Sequence, residues 1–321
     1  MFRITPVSID KFIPRVSVLI ISRDEAGINQ TLDLLRPQCQ DAGAECIIVD
    51  SSSKDLDEIR SKQSWATWID YVNKTSKRFT IPDQRNVAAR SARGEVLLFC
   101  DAGSEPSPNW LENLARPLLS GELRLVGGPI YATSKDAPEV WHNRQQDGEI
   151  IKYPTTANLG MVRAVFNEVG GFDESLNYGS DLEIVWRLNR MGIQQRCVSE
   201  AIMGLDGGDS SRERRRSWRY GKALVDVLGK HPNKLFTKLK MNPEILIYPV
   251  LIFLEILGLL SVLSHPAVFL SATAINCLLL LRNRTANHPV SVLLNHHIYA
   301  LGVLYQMAHN SAKKKKFFKF N

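Results

Sequence analysis

The chain has 321 residues, 44% of them hydrophobic and 23% charged, with a formal net charge of +7. That length holds one large domain or two smaller ones, and the composition is ordinary for a globular protein. The five cysteines, at 39, 46, 100, 197 and 277, form no CxxC pair and no Cys/His ligand spacing, which disfavours a zinc site and predicts buried free thiols in a reducing compartment.

The N-terminal stretch MFRITPVSIDKFIPR lacks a continuous apolar core, so it does not read as a signal peptide. VSVLIIS (Val16 to Ser22) is β-branched and bounded by Pro14 and Asp24, which predicts a buried strand. Helical spacing follows from Ile28 to Leu35. ECIIVDSSS (Glu45 to Ser53) predicts a second strand that ends in Asp50 and a serine turn. Helical character is expected over 54–60 and again from Pro82 to Ala92. GEVLLFCDAGSEPSPNWLENL is the most informative stretch. Its apolar run, Val96 to Cys100, ends in Asp101, and a helix-like segment begins near Pro108. A buried strand here delivers a carboxylate to its C-terminal end, where open α/β sheets hold their ligands. The βαβαβ order predicts a parallel sheet with right-handed crossovers. Downstream, GGFDESLNYGSDLEIVWRL carries Asp181 and Glu183 at a helix start. One carboxylate at a strand end and another at a helix start suggest a metal–diphosphate site facing a general base.

After about residue 240 the composition changes. ILIYPVLIFLEILGLLSVL (Ile245 to Leu263) and PAVFLSATAINCLLLL (Pro266 to Leu281) are apolar runs joined by His265 and Pro266; a third, Val290 to Ala308, is more polar. The first just reaches the roughly 20 residues that span a bilayer and the second is shorter. Lys234, Lys238 and Lys240 precede the pair, and Arg282 and Arg284 follow it. This fits a membrane hairpin with both ends cytoplasmic; a buried helical subdomain or a dimer interface is the alternative. Two basic clusters, Arg212 to Arg219 and Lys313 to Phe320, suit an anionic membrane surface or a diphosphate. Nucleic acid is not expected as a partner, because no recognised module accompanies them.

From about residue 15 to 225 the chain resembles a family 2 glycosyltransferase with the nucleotide-diphospho-sugar (GT-A) fold. VSVLIISRDEAGI, CIIVDSSSKD, QRNVAARSARGEVLLFCDAGSEPSPNWLENL, NLGMVRAVFNEVGGFDES and YGSDLEIVWRLNRMG carry the resemblance by their order and spacing. It implies an α/β fold: a Rossmann-type, mostly parallel sheet flanked by helices, over 1–235. An apolar helical membrane region over 236–310 and a basic tail over 311–321 complete the chain. It also implies inverting, cation-dependent transfer of a sugar from a nucleotide-diphosphate donor to a hydroxyl. The acceptor expected is a lipid-linked sugar or a growing surface glycan, at the cytoplasmic face of the cell membrane.

Residue by residue, the resemblance puts Ser22, Asp24 and Glu25 beside the nucleotide, and Asp50 at its base, where a turn cap is the alternative role. Arg85 and Asn86 match a pair on the donor side, with Arg85 suited to fork onto phosphates or the base. Asp101 matches the metal motif, Mg²⁺ or Mn²⁺ being the expected cation, but Gly103 stands where the motif's second carboxylate belongs. Mg²⁺ often needs only one or two protein carboxylates beside phosphate and water, and Glu105 or Asp206 offers a replacement. Asp181 falls on the catalytic base, with Ser180 in place of the usual preceding glutamate. Glu183 and Arg187 read as a supporting or surface ion pair. Gly170 and Gly171 allow a tight turn with room for the acceptor. Arg215 and Arg216 are expected to meet the leaving diphosphate, and Trp218 or Tyr220 the acceptor, unless the cluster is a solvated basic helix. A non-catalytic sugar-nucleotide binding protein and a nucleotidyltransferase remain alternatives. The loop SRDEAGIN after the first strand disfavours the latter, since it lacks a glycine-rich, lysine-containing phosphate loop.

Overall fold

A computed structural model describes residues 14–53, 55–71, 80–133, 141–142, 145–206, 209–283 and 289–317. Lys54, Arg284 and the last four residues of the basic tail lie outside this set, as does the N-terminal segment up to residue 13.

Three parallel strands make the centre: β1 (Val16–Ser22), β2 (Glu45–Asp50) and, later, β4 (Val96–Asp101). The helix α1 (Ile28–Asp41) joins the first two. After β2 come α2 (Asp57–Lys62), β3 (Thr67–Asp70) and α3 (Ile81–Ser91). β3 pairs in parallel with β2 and has no clear sequence signal, because its four residues are too few to show a period. Thr80 caps α3 by accepting from the Asp83 amide, and Pro82 sits in its first turn, where a missing N–H costs nothing.

β5 (Ser104–Pro106) and α4 (Trp110–Leu119) follow β4. Then come β6 (Leu125–Gly127), β7 (Ile130–Ala132), β8 (Trp141–His142), β9 (Asn158–Val162), α5 (Arg163–Glu168), α6 (Ser180–Arg190), β10 (Arg196–Cys197) and β11 (Met203–Leu205). The main sheet runs β10-β6-β9-β4-β1-β2-β3 and is parallel except for β9; a small second sheet runs β5-β11-β7-β8. This is the expected α/β architecture.

Alternation along the strands fills two cores. Val16, Val18 and Ile20 of β1 and Val96, Leu98 and Cys100 of β4 face α1 and α4. Leu19, Leu97 and Phe99 face α3, α5 and α6. The sheet is therefore covered on both sides, which is why its strands read as continuous apolar runs. Each large side chain so buried stabilises the fold by about 1.5–3 kcal/mol. Cys39, Cys46 and Cys100 lie in the first core as free thiols, and burial pushes the Cys39 thiol up to about 12.

Strand register aligns the functional carboxylates. Ser22 pairs with Asp50, and Ile21 with Asp101, so the C-terminal ends of β1, β2 and β4 stand in one row.

The rest is helical: α7 (Ser210–Lys230), a 3₁₀ turn at Pro232–Lys234, α8 (Leu235–Met241), α9 (Glu244–Leu260), α10 (Pro266–Arg282) and α11 (Pro289–Phe317). Across the expected boundary at 235, α11 turns back and packs along α7. Two glycines make that approach close. A Cβ on Gly302 would stand 2.5 Å from the Trp218 carbonyl, and one on Gly221 would run into the Tyr299 carbonyl. The third apolar run is thus a strut between the catalytic domain and the α9–α10 pair.

Candidate active site

The site is built at the row of strand ends. Asp101 closes β4. One of its oxygens accepts from Arg85 Nη2 at 3.0 Å, and its side chain is 40% exposed. Arg85 is buried on α3, with its guanidinium 5.9 Å from the Phe172 ring centroid. Asp181 lies in the first turn of α6, where the Leu182 amide donates to it at 2.9 Å. Burial pushes its carboxyl above the usual carboxylate range; the positive charge of Arg85 and the amide pull it down, and Asp101 pushes it up again. The three groups therefore share one electrostatic neighbourhood.

Two helices from the C-terminal region carry groups that feel the charge of Asp181. Tyr220 of α7 is half exposed, and its phenol is raised by partial desolvation and by that charge, while Arg216 lowers it. Arg216 and Tyr220 are four residues apart on α7, so they share a helix face. Lys238, on α8, is part-buried, and burial lowers its ammonium while the Asp181 carboxylate holds it up. In the sequence Lys238 reads only as a basic flank of an apolar run. No local pattern in LFTKLKM reveals that Lys238 comes within electrostatic reach of Asp181.

On the nucleotide side, Ser22 is buried at the end of β1, and its hydroxyl has no hydrogen-bond partner among the described residues. An orphaned polar atom of this kind suits a ligand contact. Asp24 adopts a left-handed φ of 54° and accepts from the Ser53 amide at 2.8 Å, while its own amide donates to Ser52 Oγ at 2.7 Å. It thereby ties the β1 and β2 loops together. Asp50 fills its turn-cap role, accepting from the Ser52 amide and hydroxyl, and its second oxygen pairs with Arg60 at 2.7 Å.

Opposite the motif loop, Glu25 reaches towards Gly103. A Cβ on Gly103 would meet the Glu25 side chain at 3.4 Å, and Gly103 has a φ of 83°, open to glycine but strained for other residues. Asp206 follows β11, whose Leu205 pairs with Ser104, so it arrives beside the same loop. Its carboxylate lies 3.6 Å from Arg212. The place of the missing second carboxylate is thus approached from two sides. Among the described residues no group of three His, Cys, Asp or Glu side chains is preassembled for a metal. Asp101 and Asp206 still fit a hard cation. Asp101 has an oxygen left over, and Asp206 is more than half exposed, so both can join phosphate oxygens and water around Mg²⁺ or Mn²⁺.

Several expected ligand contacts have other roles. The Asn86 amide donates to the Phe172 carbonyl and to Glu174, each at 2.9 Å, and accepts from the Phe172 amide. Asn86 therefore clasps the turn at 172–174. The space above Gly171 is taken by Asn86 and Phe166, whereas Gly170 has open space beside it. Trp218 packs its ring on Tyr305 of α11, at 5.4 Å between centroids, so it joins helices and is not turned to the acceptor. Arg215 is exposed on α7.

The pair Glu183–Arg187 is buried support. Arg187 binds Glu183 through Nε and Nη2, at 2.8 and 2.7 Å, and donates to the Val169 and Gly171 carbonyls. His231, just beyond α7, meets the same Glu183 at 3.1 Å. One carboxylate thus joins α6, the turn at 169–171 and the end of α7. Glu183→Ala should lower stability by about 3 kcal/mol, since removing one member leaves Arg187 without its buried partner; a thermal melt checks this.

With this geometry in place, comparison with known proteins is direct. Residues 17–172 match the family model described as glycosyl transferase family 2. The O-antigen biosynthesis protein RfbC of Myxococcus xanthus is 26% identical over 223 residues, which is 58% of this chain and 17% of that protein. A pre-mycofactocin glycosyltransferase of Mycobacterium tuberculosis is 24% identical over 169 residues, 47% of this chain and 35% of its own length. The chain thus spans well under half the length of these relatives. A solved mannosyltransferase from Pyrobaculum calidifontis, in complex with GDP-Man and Mn²⁺, superposes with a TM-score of 0.54 at 17% identity, over 93% of this chain and 86% of that one. A mycobacterial protein superposes at 0.52 with 18% identity, over 67% of this chain and 74% of its own. Residues 17–172, a little under half of the chain, are thus similar to glycosyl transferase family 2, and the fold is GT-A-like.

Proposed function

We propose that the chain transfers a sugar, with inversion, from a nucleotide-diphosphate donor to an acceptor hydroxyl. The observation that carries this is the recessed Asp181 carboxyl, set across from the Arg85–Asp101 pair at the end of β4. A carboxyl held partly away from water is a stronger base than one in bulk solvent. It takes the acceptor proton as that oxygen forms its bond to the anomeric carbon. The bond from that carbon to the donor's diphosphate breaks on the opposite face, and the electron pair leaves with the phosphate. Arg216, with Arg215 farther out on α7, lies where the departing charge needs cations. Lys238 adds a third positive group on the side of Asp181. Asp101 and Asp206 would hold the divalent cation, which supplies charge neutralisation at the diphosphate.

The acceptor in this reading is a lipid-linked sugar or a growing surface glycan at the cytoplasmic face of the cell membrane. A relative named for O-antigen biosynthesis supports a surface glycan. The membrane is supported by α9, α10 and the turn that joins them, which expose Leu259, Leu260, Leu263 and Leu270. Exposed apolar area on this scale is unusual for a protein surrounded by water.

Two experiments test the proposal. Labelled nucleotide sugars are incubated with the full chain and a membrane lipid extract. Label moving into the lipid phase is expected; donor binding without transfer would favour the non-catalytic reading, which the missing motif carboxylate keeps open. Fractionation tests the membrane. The full chain should stay with membranes in high salt and in alkaline carbonate, while release by salt alone would make α9 and α10 an internal or oligomeric interface. The basic tail should add roughly 1 kcal/mol per basic residue at an anionic surface, and that contribution should weaken with salt.

A further inference from the structure

The depth at which α9 and α10 sit can be read from their polar residues. Each helix has 17 residues, or about 25 Å, against an apolar bilayer core of about 30 Å. Among the described residues no single helix is long and apolar enough to cross a membrane, and α9 leaves the α8 segment at 84°. The two helices are antiparallel: Arg282 pairs with Glu244 at 3.1 Å at one end, and Gly258 packs on Phe269 near the other. The charges of this pair gather at the first end, with Lys234, Lys238 and Lys240 close by in sequence. Between Ile245 and Leu281 the one charged side chain is Glu255. It accepts from Asn276 of α10 at 2.6 Å and faces His297 Nε2 of α11 at 3.1 Å. This polar layer is where α11 crosses the pair.

Beyond the layer the hairpin is uncovered and largely apolar, its polar side chains being Ser261, Ser264, His265, Ser271 and Thr273. Leu260 is 81% exposed and Leu263 98%. The turn carries no Lys, Arg, Trp or Tyr to settle in a second headgroup region. Its hydroxyls are satisfied locally, Ser261 donating to the Leu257 carbonyl and Ser264 to that of Ser261. Backbone and side-chain groups that bond internally are what a hydrocarbon surrounding requires. From Pro266 to Asn276 is ten residues, about 15 Å, which is the depth of one leaflet.

We propose that α9 and α10 form a re-entrant hairpin that enters one anionic phospholipid leaflet obliquely and does not cross it. The Glu255–Asn276–His297 layer lies near headgroup depth and the turn at 261–265 near the bilayer midplane. The proposal rests on the membrane reading above and adds its depth. It places α8, which carries Lys238 and leads directly into α9, at the lipid surface, so an acceptor carried by a lipid approaches Asp181 without leaving its leaflet.

The test uses the full chain with Cys277→Ser and one new cysteine, reconstituted into phosphatidylcholine–phosphatidylglycerol vesicles with the catalytic domain outside. Ser264→Cys should resist a membrane-impermeant maleimide both added outside and trapped inside, and should react after detergent. A bimane label at Leu263→Cys should be quenched most by nitroxides deep in the acyl chains. Asn242→Cys, at the base, should react from outside. Reaction of the Ser264→Cys variant with the trapped reagent would show a spanning hairpin and overturn the proposal. Its reaction from outside would overturn the membrane reading itself.

Discussion

Asp181→Asn should slow sugar transfer by about 10²- to 10⁴-fold while leaving donor affinity nearly unchanged. The side chain keeps its shape and its place in the first turn of α6, so the Leu182 amide can still donate to an oxygen. What is lost is the ability to take a proton. The pH profile separates this from a structural effect. Burial raises the folded-state carboxyl pKa, so the ionised, active form disappears as pH falls through a value above the ordinary carboxylate range, about 3.9 for aspartate. The unaltered enzyme should therefore lose kcat/KM early on its acid side, and the residual activity of the variant should lack that limb. Stability moves the other way. A raised carboxyl pKa means that ionisation at neutral pH costs the folded state free energy, and a neutral amide removes that cost. The variant should melt no lower than the parent. Near-normal turnover in Asp181→Asn would remove this residue from the mechanism.

The strands, the row of carboxylates at their ends and the place of Asp181 at a helix start are legible in the sequence because they rest on short-range patterns. An apolar run that ends in an acid places that acid at a strand end whatever the rest of the chain does, and Val96 to Asp101 behaves so. Helix starts are legible for the same reason, as at Pro82. What escapes is long-range. Its neighbour Arg85 suggests a donor role for Asn86, yet adjacent helix residues point about 100° apart, so one meets Asp101 and the other the turn at 171–174. A basic, aromatic segment suggests an acceptor role for Trp218, but α11, eighty residues on, supplies Tyr305 as its neighbour. Lys238 comes within electrostatic reach of Asp181 only because the chain turns at 232–234, between α7 and α8. In each case sequence indicates residue chemistry, and a distant element decides its direction.

Asp101→Ala should abolish the cation-dependent part of donor binding. Asp101 is the motif carboxylate that remains, and its free oxygen points out of the Arg85 pair at the end of β4. Without it, a cation bridging protein and diphosphate would keep only Asp206, which is exposed and shared with Arg212. Asp206→Ala should weaken binding less, because Asp101 and the phosphates still offer a hard cation several oxygens. Calorimetry of donor binding in Mn²⁺ and in EDTA reads the effect. The parent should bind more tightly with Mn²⁺, and in Asp101→Ala the two conditions should converge. A thermal shift gives a second reading, since a donor at a hundred times its Kd stabilises by about 2.7 kcal/mol, and that gain should vanish in the variant at the same donor concentration. Loss of the Arg85 partner alone cannot imitate this result. It would lower the melting point with and without donor and leave the difference between Mn²⁺ and EDTA in place. If the parent itself binds donor equally in both, the cation has no part in the site, and Arg85, Arg216 and Lys238 must balance the diphosphate charge by themselves.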